Sequence, residues 1–127
     1  MTKEELENRT VEFAARCIKV CHALPRNMGG SENIAGQLFR SATSVAANYS
    51  ESGEAESDRD FVHKLKLVMK ELAESRTWLR IIGAAEYIEK EKLSCIIEES
   101  LALSRIFSSS IITMRARMAA KDPEKAL

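Results

Sequence analysis

The stretch Ile34–Ser50, IAGQLFRSATSVAANYS, carries a single formal charge, Arg40, although 30% of the chain is Asp, Glu, Lys or Arg. It contains no Pro and only one Gly, and it is long enough for about four to five turns of α-helix. A surface helix of a soluble monomer needs a charged outer face. The stretch therefore predicts a helix that is covered nearly all round, in part by another copy of the protein.

The composition of the whole chain favours one helical domain. The 127 residues suffice for a single domain with a real core. Hydrophobic residues make up 45% and aromatic residues 6%, with five Gly and two Pro, which is more typical of helices than of sheets. The net charge is zero, from 19 basic and 19 acidic residues, so strong non-specific nucleic-acid binding by a lone subunit is not expected.

Cysteine usage and the N-terminus indicate the compartment. Three cysteines without a secretory signal are typical of reduced thiols in the cytoplasm. The N-terminus is charged from residue 3 and has no apolar signal core. No segment approaches the ~18 apolar residues that a membrane helix requires. We expect a soluble cytoplasmic protein with no membrane partner.

Apolar residues at helical spacing predict four helices. The first runs from about Lys3 to Leu24, and Ser31 caps the second. The third runs from about Ser57 to Ala85, with Ser57 as its cap, and the fourth from about Glu89 to Met118. Because the connections are short, sequential helices should pack antiparallel. The predicted fold is all-α, an antiparallel up-down-up-down four-helix bundle.

One bundle accounts for nearly the whole chain. Residues 1–120 form the single predicted domain, and residues 121–127 form a polar tail that is expected to fray. Four apolar residues fall partly outside the heptad pattern of the third helix, and they either cap the end of the bundle or extend an interface. These are Trp78, Ile81, Tyr87 and Ile88.

Two stripes on the second helix and one on the third are predicted to be covered. The core stripe of the second helix contains Ile34, Leu38, Ser41, Val45, Asn48 and Ser52. A second stripe lies about 100° away, and from it we predict an oligomer interface made by Phe39, Ala42, Ala46 and Tyr49. The core stripe of the third helix contains Phe61, Leu65, Val68, Leu72, Ser75, Leu79 and Ile82.

The second and third helices carry a motif that resembles a known family. The pattern is Gln37-Leu38, Arg40-Ser41-Ala42, Ser44-Val45, Asn48 and Glu51, followed by Phe61, Leu65, Glu71 and Glu74. It is similar to the small four-helix bundle proteins named for 23S rRNA intervening sequences, also described as S23 ribosomal proteins. The accessory variability protein of diversity-generating retroelements is a related branch. Two departures are Ala46 in place of a frequent Pro, and Tyr49–Gly53 in place of Ile-Ala-Glu-Gly.

The resemblance implies an assembly rather than a reaction. It implies a homopentamer with a central channel and no established enzymatic activity. The retroelement branch is basic and is thought to bind nucleic acid and a reverse transcriptase, which makes RNA, DNA and a reverse transcriptase possible partners by resemblance. The zero net charge of this chain fits that branch poorly.

A polar network is predicted between the second and third helices. Asn48 lies in the core stripe, where a buried amide needs hydrogen-bond partners. Glu71, Glu74 or Ser75 could supply them. Its role would be to fix the register of the helices, with binding of a ligand as the alternative. Gln37 and Arg40 could join this network. Arg40 could instead face a subunit interface or a channel, where it would require a carboxylate.

The third helix also carries a basic stripe, formed by Arg59, His63, Lys66 and Lys70 at spacings of four, three and four. These residues share one helix face, which is either simply solvated or a contact for RNA or DNA phosphates. Five copies in a ring would multiply a weak contact. No aromatic residue interleaves the stripe, so base stacking there is not expected.

No catalytic, metal or cofactor site is predicted. Asp60-x-x-His63 is the only pair that resembles the ligand pairs of di-iron bundles, and such sites need two pairs and further Glu residues. Cys17 and Cys21 lie one turn apart, and we interpret them as small buried hydrophobes rather than as metal ligands. Residues Gly29-Gly30 lack the rest of a phosphate loop.

Overall fold

The computed structural model describes residues 1–121, which form four α-helices and no strand. They are α1 (Lys3–Ala23), α2 (Ser31–Ser52), α3 (Asp58–Ala84) and α4 (Lys90–Lys121). The predicted all-α class is confirmed, and the helix ends lie within three residues of their predicted positions. Lys121, the first residue of the predicted tail, belongs to α4, and residues 122–127 lie outside the described part of the chain.

The helices pack in the order of the sequence. α2 packs against α1 and α3, α3 packs against α4, and a slighter contact between α1 and α4 closes the bundle. At one end, the Tyr87 hydroxyl donates a hydrogen bond of 2.5 Å to the Gly29 carbonyl, which joins the α3–α4 turn to the α1–α2 turn. No helix within residues 1–121 is long and apolar enough to cross a membrane.

The helix starts follow local capping chemistry. The Ser57 hydroxyl accepts a hydrogen bond of 3.0 Å from the Asp60 backbone N–H, so this predicted cap of α3 is confirmed. The predicted cap of α2 is wrong: Gly30 precedes the helix in the left-handed region, at φ 83°, and Ser31 is already its first helical residue. Gly30 adopts this conformation without strain because it has no Cβ. Ser31, the residue after it, is buried.

The core is built from one face of each helix. Phe13 of α1 and Phe107 of α4 are fully buried, and the Phe107 ring lies 5.2 Å from that of Tyr49. The predicted core stripe of α3 is confirmed from Leu65 to Ile82. At its start, Val62 is buried and Phe61 is only half-buried.

Candidate functional site

The uncharged helix has an open side in the single subunit. Gly36, Phe39 and Ala47 are exposed, and Thr43 beside them is half-buried. Phe39 keeps 49% of its surface exposed, although large aromatic side chains are usually well buried. α2 is therefore not covered all round by its own subunit, and its open side has almost no charge.

The predicted interface stripe does not form one surface. Phe39 is exposed and Ala46 is half-buried, but Ala42 and Tyr49 are buried in the core of the same subunit. The physical reason is that residues three apart on an α-helix differ in direction by about 60°, because each residue advances the helix by about 100°. Within the stripe, Ala42 and Tyr49 therefore lie on the edge nearer the core and Phe39 and Ala46 on the outer edge, so Ala42 and Tyr49 cannot contact a neighbour as predicted.

The same offset between residues three apart places Asn48 away from the core. Tyr49 occupies the buried position, while Asn48 and Gln37 are half-buried and make no side-chain hydrogen bond within residues 1–121. The buried polar contact between α2 and α3 is instead made by Ser41 and Ser75, whose hydroxyl oxygens are 2.8 Å apart. Both serines are fully buried, so they hold the register that we had assigned to Asn48.

Three of the predicted network residues do meet, at the surface. The Arg40 guanidinium forms an ion pair of 3.4 Å with Glu71 and a closer one with Glu74. The hydrogen bond to Glu74, and to a smaller degree the charges of both carboxylates, raise the pKa of Arg40. The Trp78 indole N–H also donates to Glu74, at 3.3 Å. This arrangement holds Arg40 on the α3 side of α2.

The basic stripe of α3 is open to solvent. Arg59, His63, Lys66 and Lys70 are all exposed, and none of them forms a salt bridge within residues 1–121. The neighbouring Lys64 behaves differently, since its ammonium lies 3.4 Å from a carboxylate oxygen of α2. The stripe therefore has four cationic or titratable groups available for a partner.

A groove lies between the C-terminal half of α3 and the N-terminal half of α4. Its volume is about 610 Å³, and its walls include Thr77, Ile81, Leu93 and Ile97. Ile81 is 39% exposed. Leu101, which lies one turn beyond Ile97 on α4, is 38% exposed. Helical spacing alone places Leu101 on the apolar side of α4. Its exposure could not be read from spacing, because it depends on how α4 is rotated against α3.

The two aromatic residues whose role was open serve the subunit itself. Trp78 and Tyr87 are half-buried, and both pack against the core. Tyr87 caps one end of the bundle through its bond to the α1–α2 turn. Trp78 contacts the core with its ring and Glu74 with its N–H.

The candidate metal ligands have other roles. An Asp60 carboxylate oxygen accepts a hydrogen bond of 3.2 Å from the Glu56 backbone N–H, at the start of α3. Burial raises the pKa of the Cys17 thiol to about 12, and the Cys21 thiol donates to the Ala35 carbonyl at 3.3 Å. No group of three His, Cys, Asp or Glu side chains within residues 1–121 is arranged to hold a metal ion.

The described part of the chain thus defines the class of the protein as a small all-α four-helix bundle. Within that class, the chain belongs to the 23S rRNA-intervening sequence protein family, whose sequence profile matches residues 3–109.

A solved structure from the same family has this fold. It is the crystal structure of a protein with unknown function from the S23 ribosomal protein family of Bacteroides thetaiotaomicron. The two chains are 31% identical, and the match covers 87% of this chain and 98% of the other with a TM-score of 0.80. No protein with a curated description matches the chain.

Proposed function

We propose that the protein is a non-enzymatic homo-oligomeric scaffold or adaptor, which works in the cytoplasm. The observation that carries this proposal is the open, nearly uncharged side of α2. Between Ile34 and Ser50 the only charge is Arg40, and two carboxylates of α3 already pair with it. An exposed apolar surface of this kind is typical of a protein–protein contact. The family resemblance supports five copies in the assembly.

The mass of the protein in solution tests this proposal. One subunit weighs 14.2 kDa, and we expect light scattering or native mass spectrometry to give a multiple of that mass, fivefold if the resemblance holds. The measurement should cover a range of concentrations, because a weak assembly dissociates on dilution. A monomer throughout that range would overturn the proposal.

A second candidate function is contact with nucleic acid through the basic stripe. Four residues favour it, because they are exposed and form no salt bridge within residues 1–121: Arg59, His63, Lys66 and Lys70. Such a contact would use phosphate charges and would repeat in each copy of an assembly. A reverse transcriptase as an additional partner rests on the family resemblance alone.

Titration of RNA and DNA binding against salt tests the second candidate. Affinity should fall steeply as salt rises, and Lys66→Glu with Lys70→Glu should abolish it. A matched control is Lys19→Glu with Lys92→Glu, which makes the same change in charge at exposed positions on α1 and α4. No binding at low salt, or equal loss in both double variants, would argue against this site.

A further inference from the structure

The bundle has two apolar surfaces on opposite sides. Because the helices follow one another around the bundle, the α1–α2 pair lies opposite the α3–α4 pair. We call the first surface the front face, marked by Val11 and Phe39, and the second the back groove, marked by Ile81, Ile97 and Leu101. We infer that the front face of one copy docks into the back groove of the next copy, with the same end up. This inference rests on the proposed homo-oligomer and specifies its contact.

The front face carries two projecting apolar side chains. Phe39 is 49% exposed and Val11 is 54% exposed. Phe39 lies one turn after Ala35, whose carbonyl accepts a hydrogen bond from a thiol of α1. On α1, Arg9 faces α4 through its ion pair of 2.6 Å with Glu99, and Val11, two residues later, lies about 200° around the helix and hence on the side of α2. Both side chains therefore border the line where α1 and α2 meet.

The back groove is the concave counterpart. It is an open space of about 610 Å³ with Ile81 on one wall and Ile97 on the other, and Leu101 extends the second wall by one turn. Its lining also includes the charged residues Arg80, Lys90 and Glu98. This volume suits an inserted aromatic side chain. A projecting surface on one side and a recess on the other are complementary to each other but not to themselves. Such a pair makes a head-to-tail contact between copies.

The heights of these residues match. The hydrogen bond between the two turns places the α1–α2 and α3–α4 connections at the same end of the bundle. Counted from that end at 1.5 Å per residue, Phe39 lies about 12 Å along α2, and Ile97 lies about 10 Å along α4. Val11 lies about 18 Å along α1, and Leu101 about 17 Å along α4. Two copies that stand side by side with the same end up therefore bring both apolar pairs to the same level.

Farther from that end of the bundle than the apolar pairs, the charges of the two surfaces are also complementary. Glu4 and Glu7 lie about 28 and 24 Å from the same end on α1. Lys66 and Lys70 lie about 27 and 21 Å from that end on α3. They precede Thr77, a residue of the groove wall, by eleven and seven residues and therefore share its helix face. Acidic residues on one surface thus meet basic residues on the other, which favours this orientation. The proposal assigns these two lysines to the neighbouring subunit, in place of the nucleic-acid contact of the second candidate function.

Mixing two assembly-defective variants tests the head-to-tail contact. Phe39→Glu damages only the front face, and Ile81→Glu damages only the back groove. Each variant alone should run as a single subunit while keeping its helical circular dichroism. A mixture retains one intact contact, between the front of the second variant and the groove of the first. We therefore expect native mass spectrometry of the mixture to show a species of two subunits, one of each variant, and nothing larger.

Controls make the outcome decisive. Leu101→Glu serves as a second groove variant if Ile81→Glu fails to fold, and Ala116→Glu adds the same charge at an exposed position on α4 and should keep the wild-type mass. The inference is overturned if both groove variants keep the wild-type mass, or if the mixture contains only single subunits. A monomeric wild-type protein would instead overturn the proposed function itself, so the two failures are distinguishable.

Discussion

The two sides of α2 are alike in sequence and different in environment. The buried side contains Leu38 and Val45, and the exposed side contains Phe39 and Ala47. Neither side carries a charge apart from Arg40 at its border. The comparison shows that a lack of charged residues identifies a helix without a solvated face. It does not tell whether each side is covered by the same subunit or by another copy. The subunit's own core covers one side, and we propose that another copy covers the other.

The largest expected effect is on the buried side. Leu38→Ala should lower the free energy of unfolding by about 2 to 5 kcal/mol, because it leaves a cavity in a tightly packed core. Urea unfolding followed by circular dichroism measures this change. The control is Ser50→Ala, at an exposed position of the same helix. An equal loss in both variants would remove the distinction between the two sides.

The next effect is on the exposed side and concerns assembly rather than folding. Phe39→Glu and Ala46→Glu should each reduce the mass in solution to that of smaller species, because a charge without a partner must lose its water in the contact. Their helical circular dichroism should persist. If both variants keep the native mass, the exposed side of α2 does not contact a neighbour.

A smaller effect is expected at the polar pair between α2 and α3. Ser75→Ala should cost about 0.5 to 1.5 kcal/mol, because it removes one buried hydrogen bond while the Ser41 hydroxyl can still donate to the Leu38 carbonyl at 3.3 Å. The double variant Ser41→Ala with Ser75→Ala should cost less than the sum of the single changes, since both single changes remove the same hydrogen bond. Strict additivity in urea unfolding would show that the hydroxyls do not interact.

The smallest effect is expected at Arg40. Arg40→Gln removes two ion pairs, but the guanidinium is half exposed, and exposed pairs contribute little to stability. We expect no measurable change in the urea midpoint. Mass in solution provides the second readout. A clear fall in the midpoint would mean that the border between the two sides of α2 contributes to the fold.

Much of the fold could be predicted because it depends on local chemistry. Apolar spacing located four helices, and the hydroxyl of Ser57 capped α3 as expected. The prediction failed where two adjacent residues compete for one buried position. Tyr49 is buried in place of Asn48, and Val62 in place of Phe61, since the drift of a straight helix against a heptad decides between neighbours.

The candidate site was predicted less completely than the fold. The basic stripe was visible from spacing alone, because residues three and four apart share a helix face. The front face was only half visible, since the prediction included Phe39 but not Val11. Val11 lies on another helix, and only the packing of α1 against α2 brings it to the same surface. The back groove likewise combines residues of two helices, Ile81 and Ile97 among them.

The sequence by itself determined that the chain forms an all-α bundle and that one stretch, Ile34–Ser50, has no charged side to turn toward water. Both follow from periodicity and composition, which are properties of a single helix. The tertiary structure decided which side of α2 is buried, placed the Ser41–Ser75 pair in the core, and left Phe39 exposed. These depend on how each helix is rotated about its axis, and that rotation is set by the packing of all four helices together.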